Sequence, residues 1–221
     1  ITAALSFGAA VRFGPVSIQV APTAWWSENR PFDAVPSDRA SADFAAPFNI
    51  DLPQRLGVST VGRVDPGEST VRLDLLGVAL GLTSAAEWWG PSLAGAAIMG
   101  HEAAGVPRVF LGTTRPTNIW IGHVHGRIFA GREVASAFRV DTAPRRLGLG
   151  AVGTFTPRGA PWLEIGGTRY FHRRWRDRGP TLGDVSALWE GFLKVGLPDK
   201  DRLQYTSAAD NQLASLFARV A

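Results

Sequence analysis

The sequence predicts an all-β, antiparallel fold, and within that class a membrane-type barrel. Three observations predict it. Side chains alternate with a period of two along most of the chain, Gly and Pro punctuate it without any collagen-like period, and charge is scarce. Only 19% of the 221 residues are charged, whereas about a quarter is usual for a soluble domain.

The elements follow in chain order. Leu5, Phe7, Ala9, Val11 and Phe13 occupy alternate positions; Gly14-Pro15 makes a turn, and Val16, Ile18 and Val20 resume the pattern up to Trp25-Trp26. Two period-2 runs across a tight turn predict a hairpin. From Ser27 to about Pro66 the chain is polar, proline-containing and aperiodic. It is expected to form a long, plug-like loop, which is unusual inside a soluble domain and ordinary at a barrel mouth or in its lumen. Val71 to Leu75 alternates, Gly77 permits a return into Ala79 to Thr83, and Arg108 to Thr113 is another short strand.

In the predicted strand Ile119 to Ala130, Trp120, Val124 and Ile128 share a face with Gly122 and Gly126, while His123, His125 and Arg127 line the other. One apolar and one charged face suits lipid on one side and a watery lumen on the other. A soluble sandwich alternates as well. Leu147 to Thr156 and Trp162 to Phe171 predict a second hairpin around Pro157 to Pro161. One short helix breaks the pattern: Thr181 is placed to cap it, Asp184 to reach back, and Val185, Leu188, Trp189 and Phe192 recur at helical spacing up to Lys194. Asn211 to Val220 returns to alternation.

Composition narrows the function. There is no cysteine, so disulfides and thiolate metal sites are excluded. The net charge is +4 and the densest basic run is Arg173, Arg174, Arg176 and Arg178. Its setting fits a loop facing acidic sugars or lipid phosphates better than a nucleic-acid surface. No stretch is long and apolar enough for a transmembrane helix. Ile1 and Ala221 each fall inside a predicted strand, so residues 1–221 are expected to be a single β-barrel domain in fragment form, with both ends truncated. Several of the eight Trp lie at strand ends, among them Trp25, Trp26, Trp88, Trp89, Trp120 and Trp162. Such rings favour the headgroup level of a membrane, though core packing uses them equally.

Candidate chemistry is thin. His123 and His125 share a strand face, but no third ligand is near and Arg127 beside them repels a cation, so no metal is expected. Asp74, Glu87, Glu102, Glu133 and Glu164 are scattered singly and offer no acid–base pair. Nucleophile elbows and phosphate loops are absent. No catalytic residue, no cofactor and no enzymatic activity are expected.

The most distinctive stretch is Glu87-Trp88-Trp89-Gly90-Pro91, followed by Gly105-Val106-Pro107-Arg108-Val109-Phe110-Leu111-Gly112-Thr113, Arg115-Pro116 and a Gly-rich strand ending near Gly131-Arg132. Paired Trp before Gly-Pro can stack on the apolar face of a pyranose, with nearby Arg and Glu reaching hydroxyls or uronates; it can equally anchor a turn. These motifs resemble the capsule-assembly Wzi family. Leu52-Pro53-Gln54-Arg55-Leu56-Gly57, Val71 to Asp74 and Asp210 to Ser215 extend the likeness over roughly residues 50 to 215. Where the family pattern has a polar, Asn-containing loop, this chain has the blander Ser92 to Gly100.

The resemblance implies an outer-membrane β-barrel, partly occluded, that acts as a lectin for capsular polysaccharide without turning it over. Implied partners are capsular or other surface polysaccharide, outer-membrane lipid and the polysaccharide export machinery. The residues expected to bind sugar are Trp88, Trp89, Arg115, Arg173, Arg174 and Arg176, and the expected polar lumen wall is His123, His125 and Arg127. The alternatives are a porin-like channel of the same fold and a soluble β-sandwich module or enzyme acting on polysaccharide.

Overall fold

A computed structural model describes residues 1–36, 54–92, 94–101, 105–134, 145–175 and 210–220. Among them there are thirteen strands and no helix. The predicted helix at 181–194 lies outside the described residues.

The hairpin pattern folds as written. β2 (Ala9–Phe13) pairs with β3 (Val16–Val20), β6 (Thr70–Leu75) with β7 (Val78–Thr83), and β7 with β8 (Arg108–Thr113). β10 (Gly122–Val134), β11 (Arg145–Pro157), β12 (Leu163–Arg174) and β13 (Asp210–Val220) complete a sheet in the order β13-β12-β11-β10-β8-β7-β6-β3-β2, and β9 (Thr117–Asn118) adds to β10. Every one of these strand pairs is antiparallel. The last four strands hold 11 to 13 residues each. That exceeds the 5–6 residues typical of globular strands and meets the roughly 9–11 that a tilted strand needs to cross a bilayer. Among the described residues the sheet is open, with β2 and β13 at its edges.

A second sheet, β1 (Thr2–Ser6), β4 (Thr23–Ser27) and β5 (Val61–Asp65), repeats the neighbour order of β2, β3 and β6. Three long strands are thus each interrupted at one level. There Glu68 N donates to Ala21 O at 3.0 Å, and Ala21 N donates to Ser69 Oγ at 2.9 Å.

Two local expectations are corrected. The aperiodic excursion is not a loop up to Pro66, because Val61–Asp65 forms β5 on β4. A five-residue strand with Gly62, Arg63 and Asp65 in it is too short and polar to announce itself by period. Ile119 to Ile121 are not strand either. Trp120 has φ 71° and donates its backbone N–H to Asn118 Oδ1 at 3.0 Å, so this Trp sits in a turn and does not share the face of Val124 and Ile128.

The register sorts the large sheet into two faces of opposite character. One row crosses it as Val11, Ile18, Val71, Leu82, Val109, Ala130, Leu149 and Phe171. From β2 to β8 this apolar face is open: Val11 is 62% exposed, Leu82 59% and Val109 48%. At β11 and β12 it is covered, where Leu147, Leu149 and Phe171 pack with Ala130, Ala151 and Trp175. The opposite face carries the row Arg12, Ser17, Arg72, Gly81, Phe110, Phe129, Gly150 and Tyr170. Here polar and charged groups cluster, and here the second core lies, with Ala79, Trp89, Phe110 and Phe129 buried together.

Gly81 and Gly150 make that aromatic core possible. A Cβ on Gly81 would come within 2.7 Å of Phe110 Cζ, and one on Gly150 would strike the Phe129 ring and come within 2.6 Å of Trp89. Small residues between the aromatics give each ring a seat on the neighbouring strand.

A candidate anion-binding site on the polar face

After β7 the chain folds back over the polar face as a strap. Ser84 Oγ donates to Gly67 O at 2.7 Å, Ala86 N donates to the Glu68 carboxylate at 3.2 Å, and Trp89 N donates to Met99 O at 3.0 Å. These bonds aim Glu87 at the sheet. Its Oε1 accepts from Arg108 Nη2 and from Arg127 Nη1, each at 2.7 Å, and its Oε2 accepts from the Trp89 indole N–H at 2.8 Å.

Arg108 is held on all sides. Its guanidinium is fully buried, donates to Val106 O and Ala85 O as well, and lies 5.1 Å from the Phe129 ring centroid. Its Nε has no hydrogen-bond partner. Arg127 is half-buried and stacks 4.4 Å over Phe110. Burial by itself pushes the Glu87 carboxyl up. The Arg108 charge and hydrogen bond, the Trp89 N–H and the Arg127 charge together outweigh it and hold the carboxyl below its usual value. Glu87 is therefore an ionised hinge pin between strap and sheet.

Beside this cluster opens a cavity of about 470 Å³. Its walls bring Arg12 of β2, Arg72 of β6, Arg108 of β8 and Arg127 of β10 around Glu87, with Ser17, Gln19, Thr70 and Thr83 between them. Arg72 Nε donates to Asp74 at 2.6 Å. Four guanidiniums against the three carboxylates of Glu68, Asp74 and Glu87 leave the region cationic, and low-dielectric walls strengthen the field of such a cluster.

The residues predicted from sequence are placed as follows. Trp89 is buried against Phe129, with ring centroids 5.7 Å apart, so neither of its faces is open to a sugar. Trp88 is half-buried, donates from Nε1 to Ser92 O at 2.8 Å and meets His101 at 5.8 Å. Arg115 is exposed in the turn beyond the end of β8 opposite to Arg108, so the structure does not bring it to the Trp pair. Arg173 and Arg174 end β12 across from Leu147 and Arg146; their side chains and the whole of Arg176 lie outside the described residues. His123, His125 and Arg127 do share one face of β10. Only Arg127 reaches the cavity; His123 is exposed, and the exposed His125 places Nδ1 2.6 Å from Thr113 Oγ1.

Sequence reasoning missed Arg12 and Arg72 as site residues and treated Glu87 and Arg108 as motif positions. The signal was present: each of these arginines alternates with the apolar residues of its own strand, Arg12 between Val11 and Phe13, Arg72 between Val71 and Leu73. What the alternation could not supply was the strand order that lays them side by side. No protein-family model, curated protein or solved structure matches this chain.

Proposed function

We propose that this chain forms wall of an outer-membrane β-barrel of the capsule-assembly type, similar to the Wzi family, which holds surface polysaccharide without turning it over. The observation that carries this reading is the inverted amphipathicity of the large sheet. Its open face is aliphatic across five neighbouring strands, while the face under the strap holds arginines and carboxylates. Water favours the reverse arrangement, and a lipid-facing wall around a polar interior favours this one. Strands of 11 to 13 residues have the length such a wall requires. The cationic cavity supports an acidic glycan as the partner, and outer-membrane lipid is the partner of the aliphatic face.

Fractionation of cells expressing the full-length protein tests the reading. Outer-membrane recovery with electrophoretic mobility that changes on boiling, together with loss of cell-attached polysaccharide in a deletion strain, is the expected outcome. A protein that stays in solution without detergent overturns it and leaves a water-exposed sugar-binding β module. The arginines also favour a second reading, a porin-like channel of the same fold. Anion-selective conductance in a planar bilayer, with unchanged polysaccharide retention in the deletion strain, would establish that one instead.

A further inference from the structure

We infer that the cavity between Arg12, Arg72 and Glu87 is a subsite for the carboxylate-bearing pyranose of an acidic glycan, an inference that rests on the polysaccharide reading and gives it a place and a charge. The cations of the cavity are unequally engaged. Arg108 and Arg127 are committed to Glu87, and Arg72 gives its Nε to Asp74. Arg12 is exposed and makes no ion pair or hydrogen bond among the described residues. It lies in register with Ser17, which lies in register with Arg72. Two strand spacings therefore separate the Arg12 and Arg72 backbones, about 10 Å, a span from which two long side chains converge on one oxyanion. The Ser17 hydroxyl between them makes no bond of its own among the described residues, which leaves it for the same ligand.

The rest of the lining suits a sugar ring more than a bare anion. Gln19 uses its Nε2 on Glu68 O at 2.8 Å and keeps its carbonyl oxygen for a hydroxyl. Ala10 and Phe110 supply apolar surface. A volume of about 470 Å³ falls in the range of roughly 300–1,000 Å³ usual for small-ligand sites, and an inorganic ion would leave most of it to water.

The test is calorimetric titration of the full chain in detergent micelles with trigalacturonate, with maltotriose as the neutral trisaccharide and with inorganic phosphate. Trigalacturonate is expected to bind at least tenfold tighter than either, and more weakly as salt rises. Arg12→Gln is expected to lower its affinity about tenfold or more, the consequence of losing one charge-assisted contact, and Arg12→Lys to recover part of that. Because Arg12 is exposed, boiling-dependent mobility is expected to be unchanged in both variants. Equal affinity for maltotriose, phosphate binding as tight as trigalacturonate, or full affinity in a folded Arg12→Gln protein overturns the inference. Membrane location is read on the same preparations and separates the two claims. A barrel that retains polysaccharide but ignores Arg12 defeats the subsite alone, whereas Arg12-dependent binding by a detergent-free protein defeats the barrel alone.

Discussion

Arg108 and Glu87 meet at 2.7 Å in a place where the guanidinium has no contact with solvent. The pair joins the strap to β8, and Arg127 joins the same carboxylate to β10. Removing the carboxylate strands a buried cation, which costs about 3–5 kcal/mol where it has been measured. Glu87→Gln is therefore expected to lower the unfolding free energy by that order, read as the urea midpoint in detergent. The double change Glu87→Leu with Arg108→Met is expected to lose less than Glu87→Gln alone, because the fully buried charge goes with its partner and the remaining Arg127 reaches solvent.

The same carboxylate sets an acid limit. Its folded value lies below 4.5, the ordinary one, since the arginines and the Trp89 N–H outweigh burial. A depressed value contributes stability that is fully present above the unfolded pKa and is lost as pH falls through the folded one. The stability difference between the native chain and Glu87→Gln is thus expected to hold constant at neutral pH and to shrink only below about 4.5. A difference that grew on acidification would contradict the assigned ion pair.

Gly150 lies opposite Phe129 in the register and under Trp89. Gly150→Ala would push both rings from their seats, and overpacking of this kind costs typically about 1–3 kcal/mol. The expected result is a lower urea midpoint with a loss of the near-ultraviolet signal of Trp89. Gly14→Ala, at a turn where nothing lies within 4 Å, is the contrasting case: its φ of +55° is strained for Ala, so stability falls but the aromatic signal stays.

Much of the fold was legible because alternation is a local property. Val16 to Val20, Val71 to Leu75, Val78 to Thr83, Leu147 to Thr156, Leu163 to Phe171 and Asn211 to Val220 each show it without help from elsewhere, and each is strand. β5 was not legible, since Val61–Asp65 becomes a strand through pairing with Thr23–Ser27 rather than by its own pattern. The candidate site was legible only in part. Arg127 stood out on its face of β10, but Arg12 joins it through a strand order that no single segment encodes. The Glu87-Trp88-Trp89 turn drew notice for its rings, yet its carboxylate makes the contacts, and Trp89 lies buried and tilted 54° against Phe129.

That burial separates the two tryptophans experimentally. Trp89→Ala removes a large buried ring and is expected to cost about 3–5 kcal/mol. Trp88 is half-buried and held mainly by one hydrogen bond to Ser92 O, so Trp88→Ala is expected to leave the fold in place. Polysaccharide retention measured in Trp88→Ala then reports on binding, while in Trp89→Ala it reports on folding. Retention unchanged in a folded Trp88→Ala chain assigns that ring a purely structural role.

Leu111 decides what the open face touches. It is 45% exposed and stands in one row with Leu80 and Ile128 on the aliphatic face. A charge at such a position in water changes stability by no more than about 0.5 kcal/mol. Facing the bilayer midplane, Arg costs about 2–4 kcal/mol. Leu111→Arg is expected to show the larger loss when the protein is unfolded from lipid vesicles, with Val11→Arg at the sheet edge as a second position on the same face. A near-zero change at both, in vesicles that hold the folded protein, would mean that this face does not meet hydrocarbon, and the inverted pattern of the sheet would then have to be met by another protein surface.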